Sequence, residues 1–236
     1  MLKAIIFDCD GVIVDSEPIH LKAFQQVLAE IGISLSKEEY DKTYLAMDDK
    51  GCFETVLAAH SRSSDTTILK ALIHKKMAIY KTVSQQELYI YPGVIDFVKT
   101  VHGRYKLAIA SGAFRGEIKA ALNQGGIRFA FPVIVSAQDV KRCKPHPEPF
   151  LEALNQLNGG TLQRASTVPI GMIMPSECVV IEDSIHGLMA ARAAGMKTVA
   201  VTNSYPREQL LGLADHVIDS LVELTPEIME NLCKMN

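Results

Sequence analysis

The chain has 236 residues, of which 48% are apolar and 22% charged, and its net charge at neutral pH is −3. That length suits one large domain carrying a smaller insert. The charge excludes a generally basic nucleic-acid binder, no apolar stretch reaches the roughly 18 residues of a membrane helix, and five cysteines without a C-x-x-C pair point to a reducing compartment.

In chain order, the first apolar run is Ala4–Phe7, which ends at Asp8. The segment MLKAIIFDCD turns acidic by residue 8, which reads against a signal peptide, so a cytoplasmic protein is expected. Residues 16–90 then read as helical. Phe24, Val27, Leu28 and Ile31 fall at helical spacing and Gly32 closes the helix; further helical segments follow around Lys50–His60 and Ile68–Lys81. Tyr91-Pro92-Gly93 marks the return, and Val94–Val101 is again helical. Leu107–Ala110 and Pro132–Val135 are the next apolar runs. Residues between Leu157 and Pro175 read as a long connection. Cys178–Ile181, a helix after Ser184 stopped by Gly195, Thr198–Val201 and Val217–Ile218 complete the pattern.

Unbroken runs of about four apolar residues suit strands buried on both faces. Alternation with helices predicts an α/β protein: a doubly wound, Rossmann-like parallel sheet over residues 1–15 and 91–236, with an all-helical cap over 16–90. Ligands in such sheets bind beyond the carboxyl ends of the strands.

Four polar groups are predicted at that edge. Asp8 and Asp10 share one side of the first strand's exit; one carboxylate can act as nucleophile and the other can pass protons, with a divalent metal offsetting their repulsion. Read alone, the pair also fits a solvated strand end. Glu182-Asp183 offers hard oxygen ligands suited to Mg²⁺, or simply acidic residues before a helix. Ser111-Gly112 can hold a phosphate oxygen or cap a helix. Lys144, in Lys144-Pro145-His146-Pro147, can be a well-placed charge or a surface residue. Together they form an inventory for phosphoryl transfer.

Asp8-Cys9-Asp10-Gly11-Val12, Ser111, Lys144 and Glu182-Asp183 resemble, in order and spacing, the four motifs of the haloacid dehalogenase-like superfamily. Asp10–Glu17, Lys144–Phe150 and Ile181–Ser184 look like its β-phosphoglucomutase-like and sugar-phosphatase branch. The resemblance implies Asp8 as nucleophile through an aspartyl-phosphate, with Asp10 as general acid and then base. It implies Mg²⁺ on the Asp8 carboxylate, the Asp10 carbonyl and Asp183, with Glu182 supporting, and the transferring phosphoryl group on Ser111 and Lys144. The second aspartate disfavours dehalogenation.

His20 matches a substrate-side histidine of the branch. The loop Tyr44–Gly51 lacks the arginine that the mutases carry there, which leaves Lys50, Lys76 or Arg115 as possible second phosphate contacts. The expectation is a Mg²⁺-dependent phosphatase of a small phosphorylated metabolite, a sugar phosphate. Its rivals are a mutase, a sugar-bisphosphate phosphatase and a non-catalytic regulator. A monomer or weak dimer without nucleic-acid or membrane partners is expected. Cys9 and His146 are read as packing residues, His186 as a cap or packing residue, and Met172, Met174 and Met189 as core.

Overall fold

The structure, a computed structural model, describes residues 1–44, 47–160 and 171–234. Its strands are β1 (Ala4–Phe7), β2 (Val14–Asp15), β3 (Tyr89–Ile90), β4 (Lys106–Ala110), β5 (Val133–Val135), β6 (Cys178–Glu182), β7 (Lys197–Val201) and β8 (His216–Ile218). Six of these form one parallel sheet in the order β5-β4-β1-β6-β7-β8. β1 lies at its centre, with Phe7 in register with Ile109 on one side and Ile181 on the other. All four residues of β1 and all five of β6 are buried, as the unbroken apolar runs require. β5 begins after Pro132, whose nitrogen has no hydrogen to donate to a ladder.

The contacts divide the chain into two compact units, residues 1–15 with 89–236, and residues 16–88. The second boundary lies two residues before the expected one. Tyr89 and Ile90 pair antiparallel with Asp15 and Val14, a two-residue ladder too short to register as an apolar run.

The insert holds α1 (Glu17–Glu30), α2 (Lys37–Glu39), a π-turn over Tyr40–Tyr44, α3 (Asp49–Ala59) and α4 (Thr66–Glu87). Phe24, Leu28, Phe53 and Leu57 anchor its own apolar core. Asp48 caps α3 by accepting from Gly51 N at 2.7 Å, and Asp65 caps α4 by accepting from Thr67 N and Ile68 N.

The larger unit adds α5 (Val94–Val101), α6 (Arg115–Gln124), α7 (Glu148–Leu157), α8 (Ile185–Ala193), α9 (Arg207–Leu210) and α10 (Pro226–Leu232). α7 and α8 cover one sheet face through Phe150, Leu154, Ala190 and Ala191. Of the long connection before β6, residues 161–170 lie outside the described residues. Its ordered ends are clamped by Asn158, whose amide donates to Ile173 O and accepts from Ile173 N. Two methionines read as core, Met174 and Met189, are exposed; they lie on the outer side of elements whose inward positions are filled by Ile173, Leu188 and Ala190. Among the described residues, no helix is long and apolar enough to cross a membrane.

Candidate active site

β1, β4 and β6 end side by side, which brings Asp8, Ser111 and Glu182-Asp183 to one edge of the sheet. The Asp8 amide donates to Ile181 O at 3.0 Å, so the first aspartate is tied to β6 by its backbone. The chain then turns tightly: Gly11 N donates to Val14 O, and Ile13 N to Cys9 O, both at 2.8 Å. Gly11 has φ +74, and a Cβ there would lie 1.8 Å from Asp183 Oδ2. Glycine is therefore demanded twice, by backbone conformation and by the approach of a carboxylate.

Asp8, Glu182 and Asp183 are buried, and each offers a carboxylate oxygen within 4.8 Å of the others. Lys144 supplies the adjacent positive charge, with Nζ 3.0 Å from Asp8 Oδ1 and 2.5 Å from Glu182 Oε1. Glu182 is wholly buried and fully engaged. Its Oε2 accepts from Asp183 N at 2.9 Å, Ser184 N at 2.8 Å and Ser184 Oγ at 2.9 Å. A Cβ at Gly187 would lie 1.7 Å from its Oε1, so this glycine makes room for the carboxylate. Glu182 thus fixes Lys144 and the start of α8, while Asp8 and Asp183 keep oxygens for a ligand. Asp8 Oδ1 is buried without a well-directed hydrogen bond.

The charge balance sets the ionisation. Burial pushes the Asp8 carboxyl up to about 7; Lys144 opposes this, while Glu182 and Asp10 reinforce it. Burial, then the charges of Glu182 and Asp8, raise Asp183 well above the usual carboxylate range. Burial also works against ionised Glu182, but Lys144 and the Ser184 donors outweigh it and hold that carboxyl below its ordinary value. For Lys144, burial is overcome by Asp8 and Glu182, which hold the ammonium above its ordinary value. One lysine does not offset three buried carboxylates. Asp8 and Asp183, with Glu182 behind them, therefore fit a hard divalent cation, which favours oxygen donors and would supply the missing positive charge.

Ser111 is buried. Its N donates to Val135 O at 3.0 Å and its Oγ accepts from Ala113 N at 3.2 Å. A Cβ at Gly112 would meet nothing within 4 Å, so no protein atom demands glycine there. Arg115 opens α6, but its guanidinium is engaged by Asp139 at 2.7 Å. Asp139 also accepts from Ser136 N and Oγ, so the pair ties α6 to the end of β5. Cys9 is buried and its thiol is raised by burial, while His146 accepts from Glu148 N within its turn. His186 is exposed and caps nothing; the cap of α8 is Ser184, whose Oγ accepts from Gly187 N.

Sequence reasoning missed Asn203 and Ser204. Asn203 Nδ2 donates to Gly11 O at 2.7 Å, and Ser204 Oγ donates to Asp183 Oδ2. The available signal was their place just beyond the apolar run of β7, on the edge already identified.

Within the helical unit, His20 and Lys76 come together. Lys76 is 1% exposed, with Nζ 2.6 Å from both His20 Nδ1 and Asp49 Oδ1 and 4.8 Å from the Phe24 ring centre. Burial, then the charge of Lys76, pushes His20 down to about 3, so it is neutral and Nδ1 accepts. Lys50 is exposed and faces Glu54 at 3.6 Å.

A family model described as haloacid dehalogenase-like hydrolase matches residues 5–201. Fructose-1-phosphate phosphatase YqaB of Escherichia coli is 31% identical over 198 residues, 84% of this chain and 95% of that protein. A phosphorylated carbohydrates phosphatase of Thermotoga maritima is 28% identical over 201 residues, 84% of this chain and 84% of that protein. The crystal structure of CbbY from Rhodobacter sphaeroides in complex with phosphate shares the fold, with TM-score 0.81, 24% identity, and coverage of 98% of this chain and 100% of that one.

Proposed function

The chain belongs to the haloacid dehalogenase-like hydrolase family, and within it we propose a Mg²⁺-dependent phosphatase that hydrolyses a sugar phosphate through an aspartyl-phosphate on Asp8. The observation that carries this reading is the buried set of Asp8, Asp183, Glu182 and Lys144 beside Ser111. It combines a nucleophile with concentrated compensating charge, which is what phosphoryl transfer requires. The phosphatase names of the relatives agree with it.

In the proposed reaction an Asp8 carboxylate oxygen attacks phosphorus and the bond from phosphorus to the sugar oxygen breaks. Asp10 gives its proton to the departing oxygen. Asp10 then takes a proton from the water that attacks the aspartyl-phosphate, releasing inorganic phosphate and restoring Asp8. Lys144 and Ser111 hold the phosphoryl oxygens throughout. Asp8, Asp183 and the Asp10 carbonyl would hold Mg²⁺, with Glu182 supporting them. That ion supplies charge neutralisation at the phosphoryl oxygens and favours the ionised Asp8.

Phosphatase is favoured over mutase, and monophosphate over bisphosphate, because the helical unit's buried candidate cation, Lys76, is already engaged. Lys76 is neutralised by Asp49 in a buried pair, whereas the Lys50–Glu54 pair is exposed and weak. His20 is retained as a neutral hydrogen-bonding group for sugar hydroxyls. ³¹P NMR of the protein with Mg²⁺ and a panel of sugar mono- and bisphosphates tests the reading. A growing inorganic phosphate signal, absent with Asp8→Asn, is expected from the monophosphates. A phosphate ester that migrates without free phosphate would mean a mutase instead.

A further inference from the structure

The edge of the sheet opposite the candidate active site carries a concavity of about 520 Å³, within the roughly 300–1,000 Å³ range of small-molecule sites. It lies at the amino ends of β1 and β4, one strand length from Asp8, or ~13 Å at about 3.3 Å per residue. Its floor is apolar, from Leu2, Leu107 and Pro132, and its rim carries His102, Arg104, Lys106 and Phe129. None of the described residues lining it is acidic.

Both sides of the rim are rigid turns. Gly103, at φ +84, reverses the chain after α5, and Arg104 N donates to Val101 O. Across from it, a 3₁₀ turn over Arg128–Ala130 is pinned by Arg128 Nη1 donating to Phe131 O at 2.6 Å and by burial of Ala130 and Phe131. The turn leaves Phe129 61% exposed, its ring perpendicular to that of His102 with centres 5.0 Å apart. An exposed aromatic ring on a fixed turn is a stacking platform.

The cations differ in their commitments. Lys3 is held by Glu177 at 2.8 Å. Arg104 reaches Glu230 only at 3.6 Å in an exposed pair, and Glu230 is already bound by Tyr105 Oη at 2.5 Å. Such a pair is worth at most about 1 kcal/mol, but the Arg104 guanidinium also lies 5.6 Å from the Tyr105 ring centre, so Arg104 is partly committed. The Lys106 ammonium is exposed and has no ion-pair partner among the described residues. A flat ring beside an uncommitted ammonium calls for a ligand that joins a planar base to a phosphate.

We propose that this pocket binds a nucleotide, its base stacked on Phe129 and its phosphate on Lys106, separately from the catalytic centre. The inference does not depend on the proposed phosphatase reaction. The test is ¹H–¹⁵N NMR titration of chelator-treated full-length protein, wild type and Asp8→Asn, with adenosine 5′-monophosphate as probe. Adenosine and inorganic phosphate serve as half-ligands. Saturable shifts are expected at Leu2, Gly103–Leu107 and Phe129–Ala130 in both proteins. Lys106→Glu should weaken binding about tenfold and Phe129→Ala about fivefold, with sugar-phosphate turnover unchanged in both. Shifts confined to the surroundings of Asp8, Ser111 and Lys144, no saturable shifts, equal affinity for adenosine, or full affinity in Lys106→Glu would each overturn the proposal.

Discussion

Asp8 is held at its position by a backbone hydrogen bond to β6, and burial raises its carboxyl. Replacing it with asparagine keeps the shape and removes the proposed nucleophile, so turnover should vanish while circular dichroism and melting stay near wild type. Lys144 is different, because its removal strands buried carboxylates. Lys144→Met should cost about 3–5 kcal/mol as well as activity, read from denaturant midpoints. Gly11→Ala should lose activity and roughly 1–3 kcal/mol, because its φ and Asp183 both exclude a side chain. The raised carboxyls also predict a pH dependence. In the metal-free protein, folded Asp8 keeps a proton up to about pH 7, whereas the unfolded chain releases it near 3.8. This group's contribution to stability is therefore fully present at low pH and is lost as pH rises through that window. Protons and Mg²⁺ compete for the same oxygens, so the rise in melting temperature on adding Mg²⁺ should be larger at pH 8 than at pH 5.5. An equal rise at both would count against Asp8 as a ligand.

Elements rather than single residues decide how the helical unit is built. α1, α3 and α4 are joined across their apolar core by His20, Asp49 and Lys76. Asp49→Asn leaves a buried ammonium without its counter-charge and should destabilise this unit by about 3 kcal/mol. Pairing it with Lys76→Met should recover most of the loss, because a buried ion pair is readily replaced by apolar packing of similar volume. Melting of the single and double variants checks this, and a double variant less stable than the single one would refute the compensation. The acidic run Asp48-Asp49 also acquires two distinct physical roles: Asp48 caps α3, and Asp49 faces Lys76.

At the scale of the molecule, each compact unit has a hydrophobic core of its own, and the proposed cation lies on one of them only. Calorimetry with and without Mg²⁺ should therefore resolve two responses. Phe53→Ala, which opens a cavity in the helical unit at a cost of about 3–5 kcal/mol, should lower the melting of that unit and leave the Mg²⁺-dependent stabilisation unchanged. Loss of the Mg²⁺ effect in this variant would contradict confinement of the cation to the larger unit.

The sequence by itself determined the parallel sheet and which polar residues follow its strands. Strands buried on both faces must be written as unbroken apolar runs, and Asp8, Ser111 and Glu182-Asp183 each follow such a run directly. It also determined the helical insert, through the spacing of Phe24, Val27 and Leu28. It did not determine the two-residue ladder of Val14–Asp15 with Tyr89–Ile90, because so short a pairing leaves no periodicity. Nor did it reveal what each charge faces. Lys76, Lys50 and Arg115 look alike as candidate phosphate contacts in the chain; Glu54 lies one helical turn from Lys50, but only the tertiary structure places Asp49 against Lys76 and Asp139 against Arg115. The same holds for Ser204 and Asn203, brought to Asp183 and Gly11 from 21 and 192 residues away. Apolar patterning is local and legible along the chain, whereas electrostatic partnership depends on distances that exist only after folding.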